Sequence, residues 1–402
     1  MLRRFLHLAL GLALLVANAP AASAAAPVTP AAALERVLTA PSQDPAWYSP
    51  ELLAQVTTAQ MDGIVASVRK QLGTFVKLTG DGADGNYVAV FTGGTIPCWI
   101  KVDANGLISG IFFKAPQPTA ASLDDALARF APLHGTLSYV VIQNGTERAA
   151  RGQDKPLGVG STFKLAVLTA LVKQIDAGKR HWSDVVRVRD GWKSLPSGFL
   201  QTWPDGSHVT LETLASLMIS ISDNSATDLL IHTLGRAAIE PYAGANVPLL
   251  TTHDMFALKT KGAAAARAAW RSGDAKARRR LIAVLDGAHL SADALDLQPA
   301  DDDIDWQFTN RQLCALMAGV RRLPLFGINP GIATPSDWKS VAYKGGSDAG
   351  IISMTTWLVA KSGKEYCVSA SLNDASAAVD ENAFSLAYAA VIGRLRDEAA
   401  KP

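Results

Sequence analysis

A serine and a lysine three positions apart stand at the start of a strongly apolar stretch. Ser161 and Lys164 follow a glycine-flanked turn, and apolar side chains then recur at helical spacing from Leu165 to Ile175. This spacing predicts a buried helix that begins at Ser161 and carries both side chains on one face. Because burial lowers the pKa of a lysine, Lys164 is a candidate proton acceptor for the Ser161 hydroxyl. The same two residues also fit an N-cap serine and a solvated lysine.

A polar segment, Ser222-Asp223-Asn224, separates two apolar helical runs. As local structure it predicts a helix-to-helix turn in which Ser225 caps the second helix. As chemistry, the Ser222 hydroxyl can pass a proton to a leaving group, and the Asn224 amide can bind a substrate amide. Asp223 can anchor the turn inward.

A third group, Lys344-Gly345-Gly346-Ser347, lies near the end of a predicted strand that pairs with the strand after it. Glycines in a strand let the backbone of another molecule lie close, and Lys344 offers a positive charge to a carboxylate. The alternative is a Gly-rich turn with a solvated lysine.

Length and composition limit the class of protein. The chain has 402 residues, 49% of them hydrophobic and 18% charged, with a net charge of +2. This predicts a globular protein of two or three domains, and it gives no basic excess for nucleic-acid binding. The acidic run around 301–305 lacks the spacing of a calcium loop. We therefore expect neither a metal nor a cofactor.

The first 24 residues have the pattern of a secretory signal peptide. Arg3 and Arg4 precede an apolar stretch, Phe5–Ala17, and the small residues Ala22-Ser23-Ala24 follow. The apolar stretch is too short to span a bilayer comfortably. We expect cleavage near Ala24, a periplasmic or secreted protein, and no membrane span in the mature chain.

Three cysteines, Cys98, Cys314 and Cys367, are widely spaced. An odd number without short spacings predicts neither a disulfide framework nor a zinc site. Buried free thiols are the expectation, and one disulfide in an oxidising compartment is the alternative.

Residues 31–114 predict a small α+β domain. Helical patterns over Ala31–Thr39 and Ser49–Leu72 precede four short strands separated by Gly, Asp and Asn turns. This order resembles the cone-shaped fold of nuclear transport factor 2 and ketosteroid isomerase. No acid and base pair stands out there, so binding, packing or support of secretion is expected of it.

Residues 121–399 predict a second domain. A helix capped by Ser122 leads into a hairpin of Thr136–Gln143 and Glu147–Gly152 around Asn144-Gly145, a strong turn signal. Two further antiparallel strands and a closing helix from Val379 complete it.

In order and in the required elements, the three motifs resemble those of class A β-lactamases and penicillin-binding proteins. The resemblance covers roughly Ser122–Ala399, and the whole chain is similar to two-domain β-lactamase-related serine hydrolases, which include the one encoded with clavulanic-acid biosynthesis. It implies an α/β (α+β) fold with an antiparallel sheet and a helical subdomain. It implies that Ser161 is the nucleophile and Lys164 its base partner, that Ser222 is a proton shuttle, and that Asn224 is a substrate ligand. Lys344 would be an electrostatic anchor and Gly346 a substrate-binding glycine. The backbone N–H groups of Ser161 and Ser347 would form the oxyanion hole.

Two departures from the family pattern affect turnover. Gly345 stands where the family has a hydroxyl residue that helps to hold a carboxylate. The glutamate that activates the deacylating water has no counterpart, because the segment 240–248 is short; Asp254 fits instead a helix start capped by Thr251. Rapid release of an acyl group is therefore not expected.

The predicted function is an exported serine hydrolase that acts through an acyl-enzyme on a β-lactam or a related cyclic amide. The alternatives are a carboxylic esterase or D-alanyl-D-alanine carboxypeptidase-like enzyme with weak β-lactamase activity, and a non-catalytic penicillin or cell-wall sensor. The expected partner is a small β-lactam, ester or peptidoglycan-derived molecule.

Overall fold

The computed structural model describes residues 28–296, 299 and 304–400. The predicted signal peptide, Met1–Ala24, lies outside these residues. None of the helices within them is both long enough and apolar enough to cross a membrane.

The N-terminal part packs three helices against an antiparallel sheet of order β1-β2-β3-β4, with β5 paired to β3. The elements are α1 (Pro30–Thr39), α2 (Pro50–Leu53), α3 (Thr58–Leu72), β1 (Phe75–Thr79), β2 (Asn86–Phe91), β3 (Gly94–Val102), β4 (Ile108–Phe113) and β5 (Gln117–Pro118). The prediction of one helix over Ser49–Leu72 is wrong. A second helix starts because the Thr57 side chain and Gln60 form a capping box at its first turn.

The middle part is mostly helical. Its elements are α4 (Leu123–Ala128), β6 (Thr136–Gln143), β7 (Thr146–Arg151), β8 (Leu157–Gly158), α5 (Lys164–Asp176), β9 (Val185–Arg187), β10 (His208–Thr210), α6 (Leu211–Ser220), α7 (Asn224–Leu234), α8 (Arg236–Ile239), α9 (Thr252–Leu258), α10 (Ala264–Ser272) and α11 (Ala275–Leu285). The first two turns of α5, from Lys164 to Leu171, are buried on every side, and its polar, partly exposed residues are confined to the last turns. A helix segment buried on all sides has to lie inside the protein, so this part of α5 is the centre of the helical part.

The last part supplies most of the main sheet. Its elements are β11 (Gln307–Phe308), α12 (Asn310–Val320), β12 (Ser340–Asp348), β13 (Ile351–Val359), β14 (Glu365–Asn373) and α13 (Glu381–Ala399). The five-stranded sheet has the order β12-β13-β14-β6-β7 and is antiparallel throughout. The predicted mixed fold, with an antiparallel sheet and a helical part, is confirmed.

The two faces of this sheet differ in chemistry. One face shares an apolar core with α4 and α13, in which Phe130, Phe384 and Tyr388 are buried. The other face carries buried hydroxyls next to α12, where the Asn310 side chain donates to Ser138 Oγ at 2.8 Å and accepts from Ser369 Oγ at 2.7 Å. This network satisfies polar groups that would otherwise be buried without a partner.

A disulfide joins α12 to β14 through Cys314 and Cys367, whose Cα atoms are 6.0 Å apart. Cys98 in β3 is a buried free thiol. The expectation of three free thiols is therefore wrong for two of them, because the fold brings together cysteines that lie 53 positions apart in the chain.

We expect the Cys314→Ala/Cys367→Ala variant to lose about 2–4 kcal/mol of unfolding free energy, because the disulfide restricts the unfolded chain. Urea denaturation with and without reductant measures this. Reductant should destabilise the wild type and leave the double variant unchanged. Equal sensitivity of both proteins to reductant would contradict the assignment.

Candidate active site

Ser161 lies on a short turn that leads into α5. The turn is a 3-10 helix over Gly160–Phe163, so the α-helix begins at Lys164 and not at Ser161 as predicted. The turn is held from behind, because the Asn373 side chain accepts from Gly158 N–H at 2.6 Å and donates to Gly158 O at 2.8 Å. Ser161 is thus attached to the main sheet immediately before the helical part begins.

Lys164 is completely buried under this turn. Its amine donates to Ser222 O at 2.6 Å, to Ser222 Oγ at 3.1 Å and to Asn224 Oδ1 at 2.7 Å. Burial lowers the pKa of Lys164 well below its ordinary value, and the positive charge of Lys344 lowers it further. Asp228 and Asp223 oppose this shift without reversing it, so Lys164 gives up its proton more readily than a solvated lysine does.

The polar turn between α6 and α7 bends sharply at Ser222, which has a φ of +57°. This left-handed conformation costs a non-glycine residue roughly 1 kcal/mol or more. The carbonyl oxygen of Ser222 accepts from both Lys164 Nζ and Ser197 Oγ, the latter at 2.7 Å. The strained residue is thus held by side chains on two other segments.

Asp223, and not Ser225, caps α7, because its Oδ1 accepts from Ala226 N–H. Ser225 instead accepts from Ser194 N–H at 3.0 Å. Asp223 Oδ2 also accepts from Phe199 N–H at 2.8 Å and from Leu200 N–H at 2.9 Å. The predicted inward anchor is confirmed, and it fixes the neighbouring loop as well as the helix.

Lys344 is the fifth of the nine residues of β12, so it lies at the middle of the strand and not near its end. Its amine donates to Ser222 Oγ at 3.0 Å and to Gly345 O at 2.6 Å. Burial lowers the pKa of Lys344 to about 7. The Ser222 hydroxyl therefore lies between two buried amines whose pKa values are both lowered.

Gly346 lets β12 run directly beside the Ser161 turn. A Cβ at Gly346 would overlap Val159 O and Ser161 N, and would lie 2.6 Å from Thr162 N. On the opposite side, a Cβ at Gly160 would lie 2.9 Å from Ser347 N. This close approach places the backbone N–H groups of Ser161 and Ser347 in the same small region.

A cavity of about 550 Å³ opens over these groups. Six of the seven predicted site residues line it: Ser161, Ser222, Asn224, Lys344, Gly346 and Ser347. The seventh, Lys164, is buried beneath its floor. The three sequence motifs, which are far apart in the chain, therefore come together at one cavity. In the part of the chain described, no three His, Cys, Asp or Glu side chains are grouped as they would be around a metal ion.

The acids near the site have other partners. Asp254 belongs to the capping box at the start of α9, with Thr251 as predicted, and forms an ion pair with Arg236. Asp228 is buried, which raises its pKa to about 7, and it accepts from Thr252 and His253. These carboxylates hold the segment after 248 in place and do not stand free to activate a water molecule.

Two features of the site have little signal in the sequence. Asn373 ends a strand 215 positions after the glycine that it binds. Trp306 stacks on Phe163 with ring centroids 3.8 Å apart and borders the cavity. Both contacts depend on pairing between distant segments, and the sequence indicates only the apolar character of Trp306 and Phe163.

We expect Gly346→Ala to reduce acylation of Ser161 by about 100-fold or more, because the methyl group would push β12, with the Ser347 N–H group, away from the Ser161 turn. Intact-mass kinetics with an activated ester measure this rate. Gly319→Ala on α12 is the matched control, since nothing lies within 4 Å of its added methyl group. A Gly346→Ala protein as active as the control would contradict the geometry.

We expect Lys344→Met to raise the free energy of unfolding by roughly 1–2 kcal/mol at pH 7. The pKa of Lys344 is about 7 in the folded protein and higher in the unfolded chain, so the unfolded state holds the extra proton between these values. The wild type therefore gains stability from this group as the pH rises above 7.

Urea titrations at intervals from pH 6 to 10 measure the difference between the variant and the wild type. This difference in unfolding free energy should be largest at or below pH 7 and should decrease as the pH rises towards 10. Lys361→Met, at the exposed turn between β13 and β14, is the control and should change little at any pH. A difference that grows with pH would refute the explanation.

A family of known proteins matches the segment of the chain that holds the first two motifs. Residues 119–279 match the model of the β-lactamase enzyme family. This segment contains Ser161, Lys164, Ser222 and Asn224, whereas Lys344 lies beyond it. No curated protein sequence matches the chain.

Solved structures of similar shape include two β-lactamases and the protein PBP-A. The β-lactamase of Sphaerobacter thermophilus has 19% identity over 69% of this chain and 96% of its own, with a TM-score of 0.49. A β-lactamase of Xanthomonas campestris has 18% identity over 69% and 99%, with a TM-score of 0.47. PBP-A has 16% identity over 69% and 95%, with a TM-score of 0.48. Because these scores are below 0.5, the assignment of the site does not rest on them.

Proposed function

We propose that this protein is a serine hydrolase of the β-lactamase type that forms an acyl-enzyme on Ser161. The observation that carries the proposal is the Ser222 hydroxyl, which lies 3.1 Å from Lys164 Nζ and 3.0 Å from Lys344 Nζ at the floor of the cavity. A hydroxyl shared by two desolvated amines can accept and release protons near neutral pH. The family model over residues 119–279 supports the same assignment.

Lys164 is the proposed base for acylation. Its pKa is lowered well below the ordinary value, so its amine can accept the proton of Ser161 as the hydroxyl oxygen attacks a carbonyl carbon. In the free protein the amine donates to Ser222 and Asn224. We expect it to form a hydrogen bond with the Ser161 hydroxyl when a substrate binds, because catalytic hydrogen bonds are often completed only in the complex.

Ser222 is the proposed proton donor to the leaving group. When the tetrahedral intermediate collapses, the carbonyl carbon separates from the leaving nitrogen or oxygen, which takes the Ser222 proton. Ser222 recovers a proton from Lys164, which holds the one that left Ser161. The Asn224 side chain donates to Leu195 O at 2.9 Å and accepts from Lys164, so it is held at the edge where a substrate amide would lie.

The backbone N–H groups of Ser161 and Ser347 are the proposed oxyanion hole. The absence of a side chain at Gly346 allows β12 to approach the turn closely enough for both groups to face one oxygen. Removal of one such donor typically lowers the rate by about 100- to 1000-fold.

Release of the acyl group is proposed to be slow. Of the cavity-lining residues, Asp348 forms an ion pair with Lys259 at 2.9 Å, and Glu381 is exposed in the first turn of α13. A water molecule would have to be activated without a carboxylate beside Ser161. This favours an esterase or a carboxypeptidase-like activity as the second candidate, since the leaving group of an ester or peptide departs after acylation and makes room for water, whereas the leaving nitrogen of a β-lactam stays attached.

Export and domain organisation complete the proposal. Residues 1–24 are proposed to be a cleaved signal peptide that directs the protein to the periplasm or out of the cell. Residues 31–114 are proposed to be a separate unit of the nuclear transport factor 2 type, since their helices and strands share an apolar core of their own. A non-catalytic sensor of penicillin or cell wall remains the alternative from another class.

Intact-mass spectrometry on the mature protein tests the proposal. With benzylpenicillin or a 4-nitrophenyl ester, we expect an adduct on Ser161 that forms in seconds to minutes and persists longer with the penicillin. Ser161→Ala should form no adduct, and Lys164→Met should form it at least about 1000-fold more slowly.

Ser207→Ala is the matched control, because this exposed-loop serine donates only to Pro204 O and does not line the cavity. It should acylate at the wild-type rate. No adduct on Ser161 with any activated acyl donor would refute the proposal. Steady turnover of an ester would exclude the sensor alternative.

A further inference from the structure

The end of the cavity beyond β12 has a composition of its own. Four residues from three elements form this wall, here called the outer wall: Tyr343, Met354, Glu381 and Ser385. Gly345 pairs with Met354 in the sheet, so the outer wall begins directly beside the glycine that replaces a hydroxyl residue of the family pattern. Its chemistry decides what part of a substrate can lie there.

Tyr343 brings a phenol to the position of the missing hydroxyl. It lies two residues before Gly345 on β12 and therefore on the same face of the strand. A Cβ added to Gly345 would overlap Tyr343 Oη, and a Cβ added to Gly331 would overlap the ring, so the phenol is held between two glycines. The backbone is shaped to accept this ring, and its hydroxyl can donate or accept a hydrogen bond at the cavity.

The charges around the cavity do not favour an anion at the outer wall. Three charged residues are among those that line the cavity: Lys344, Asp348 and Glu381. Lys344 is buried and donates to Ser222 and Gly345, while Asp348 forms an ion pair with Lys259, which also pairs with Asp305. The exposed carboxylate of Glu381 is thus the charge that a ligand at this end would meet.

Met354 does not offset the negative charge of Glu381. It is the β13 partner of Gly345, it is buried, and its thioether offers an anion neither charge nor a strong donor. The Ser385 hydroxyl already donates to Glu381 O at 2.7 Å. A carboxylate placed here would therefore lose water and gain only the Tyr343 hydroxyl as a side-chain donor, close to a carboxylate of like charge.

We infer that the outer wall is a specificity subsite for an uncharged or cationic part of the acyl donor, and that it discriminates against a carboxylate. This inference rests on the proposed acylation of Ser161. It assigns the substrate class as neutral esters or amides, with the Tyr343 hydroxyl as a hydrogen-bonding contact and Glu381 as the group that repels anions.

The test compares benzylpenicillin with its methyl ester, which differ only in whether the carboxylate is masked. The second-order rate of adduct formation on Ser161, followed by intact mass, is measured for both at low ionic strength. The wild type should react at least about threefold faster with the methyl ester. Glu381→Lys should reverse or remove this preference by speeding reaction with the free acid, and Glu381→Gln should have an intermediate effect.

Glu212→Lys is the matched control. Glu212 is an exposed acid in the first turn of α6, as Glu381 is in the first turn of α13, so the change in net charge and in helix-terminal charge is the same. It does not line the cavity. The control should keep the wild-type ratio of the two rates.

Tyr343→Phe tests the phenol separately, because it keeps the ring between the two glycines and removes only the hydroxyl. Its rate with the methyl ester should fall by about 2- to 12-fold. The rate with a 4-nitrophenyl acetate probe, which is too small to reach the outer wall, should stay the same.

The outcomes separate the subsite from the chemistry. Adducts on Ser161 with equal or faster reaction of the free acid in the wild type, or with no change of the ratio in Glu381→Lys, would overturn the subsite and leave the serine hydrolase standing. No adduct with either penicillin or with 4-nitrophenyl acetate would overturn both.

Discussion

The site depends on one hydroxyl group held between two amines in a region without water. Ser222 Oγ is 3.1 Å from Lys164 Nζ and 3.0 Å from Lys344 Nζ, and both lysines are buried. Two ammonium ions so close together, each deprived of water, would be strongly unfavourable. Loss of a proton relieves this, so burial lowers the pKa of both lysines and favours the neutral amine that the proposed acylation needs.

Much of the surrounding structure serves to hold this arrangement. Ser222 has a left-handed backbone, Lys164 donates to its carbonyl oxygen, and Asp223 ties the same turn to the loop that carries Ser197. On the other side, Asn373 and Gly346 set the distance between the sheet and the Ser161 turn. Ser161, the proposed nucleophile, therefore lies where the sheet and the helical part meet, so that each half of the fold positions the other.

This arrangement carries a cost in stability. Buried amines and a strained turn each disfavour folding, and the apolar cores, the buried hydroxyl network around Asn310 and the Cys314–Cys367 disulfide oppose them. Sites of this kind trade stability for reactivity, since a well-solvated lysine would keep its proton. The same reasoning explains why the acidic side chains near the site take part in helix caps, hydrogen bonds or ion pairs and do not face Ser161.

The sequence by itself determined the local features: the strands and their order, the Asn144-Gly145 hairpin, the Thr251 cap, and the three polar motifs, because periodicity, turn residues and caps act over a few positions. Only the tertiary structure decided what depends on contacts between distant segments. These are the meeting of the motifs at one cavity, the lowered pKa of Lys344, the Cys314–Cys367 pairing, the Asp223 cap in place of Ser225, and the phenol of Tyr343 over Gly345. Each follows from burial or close approach, which a linear pattern does not contain.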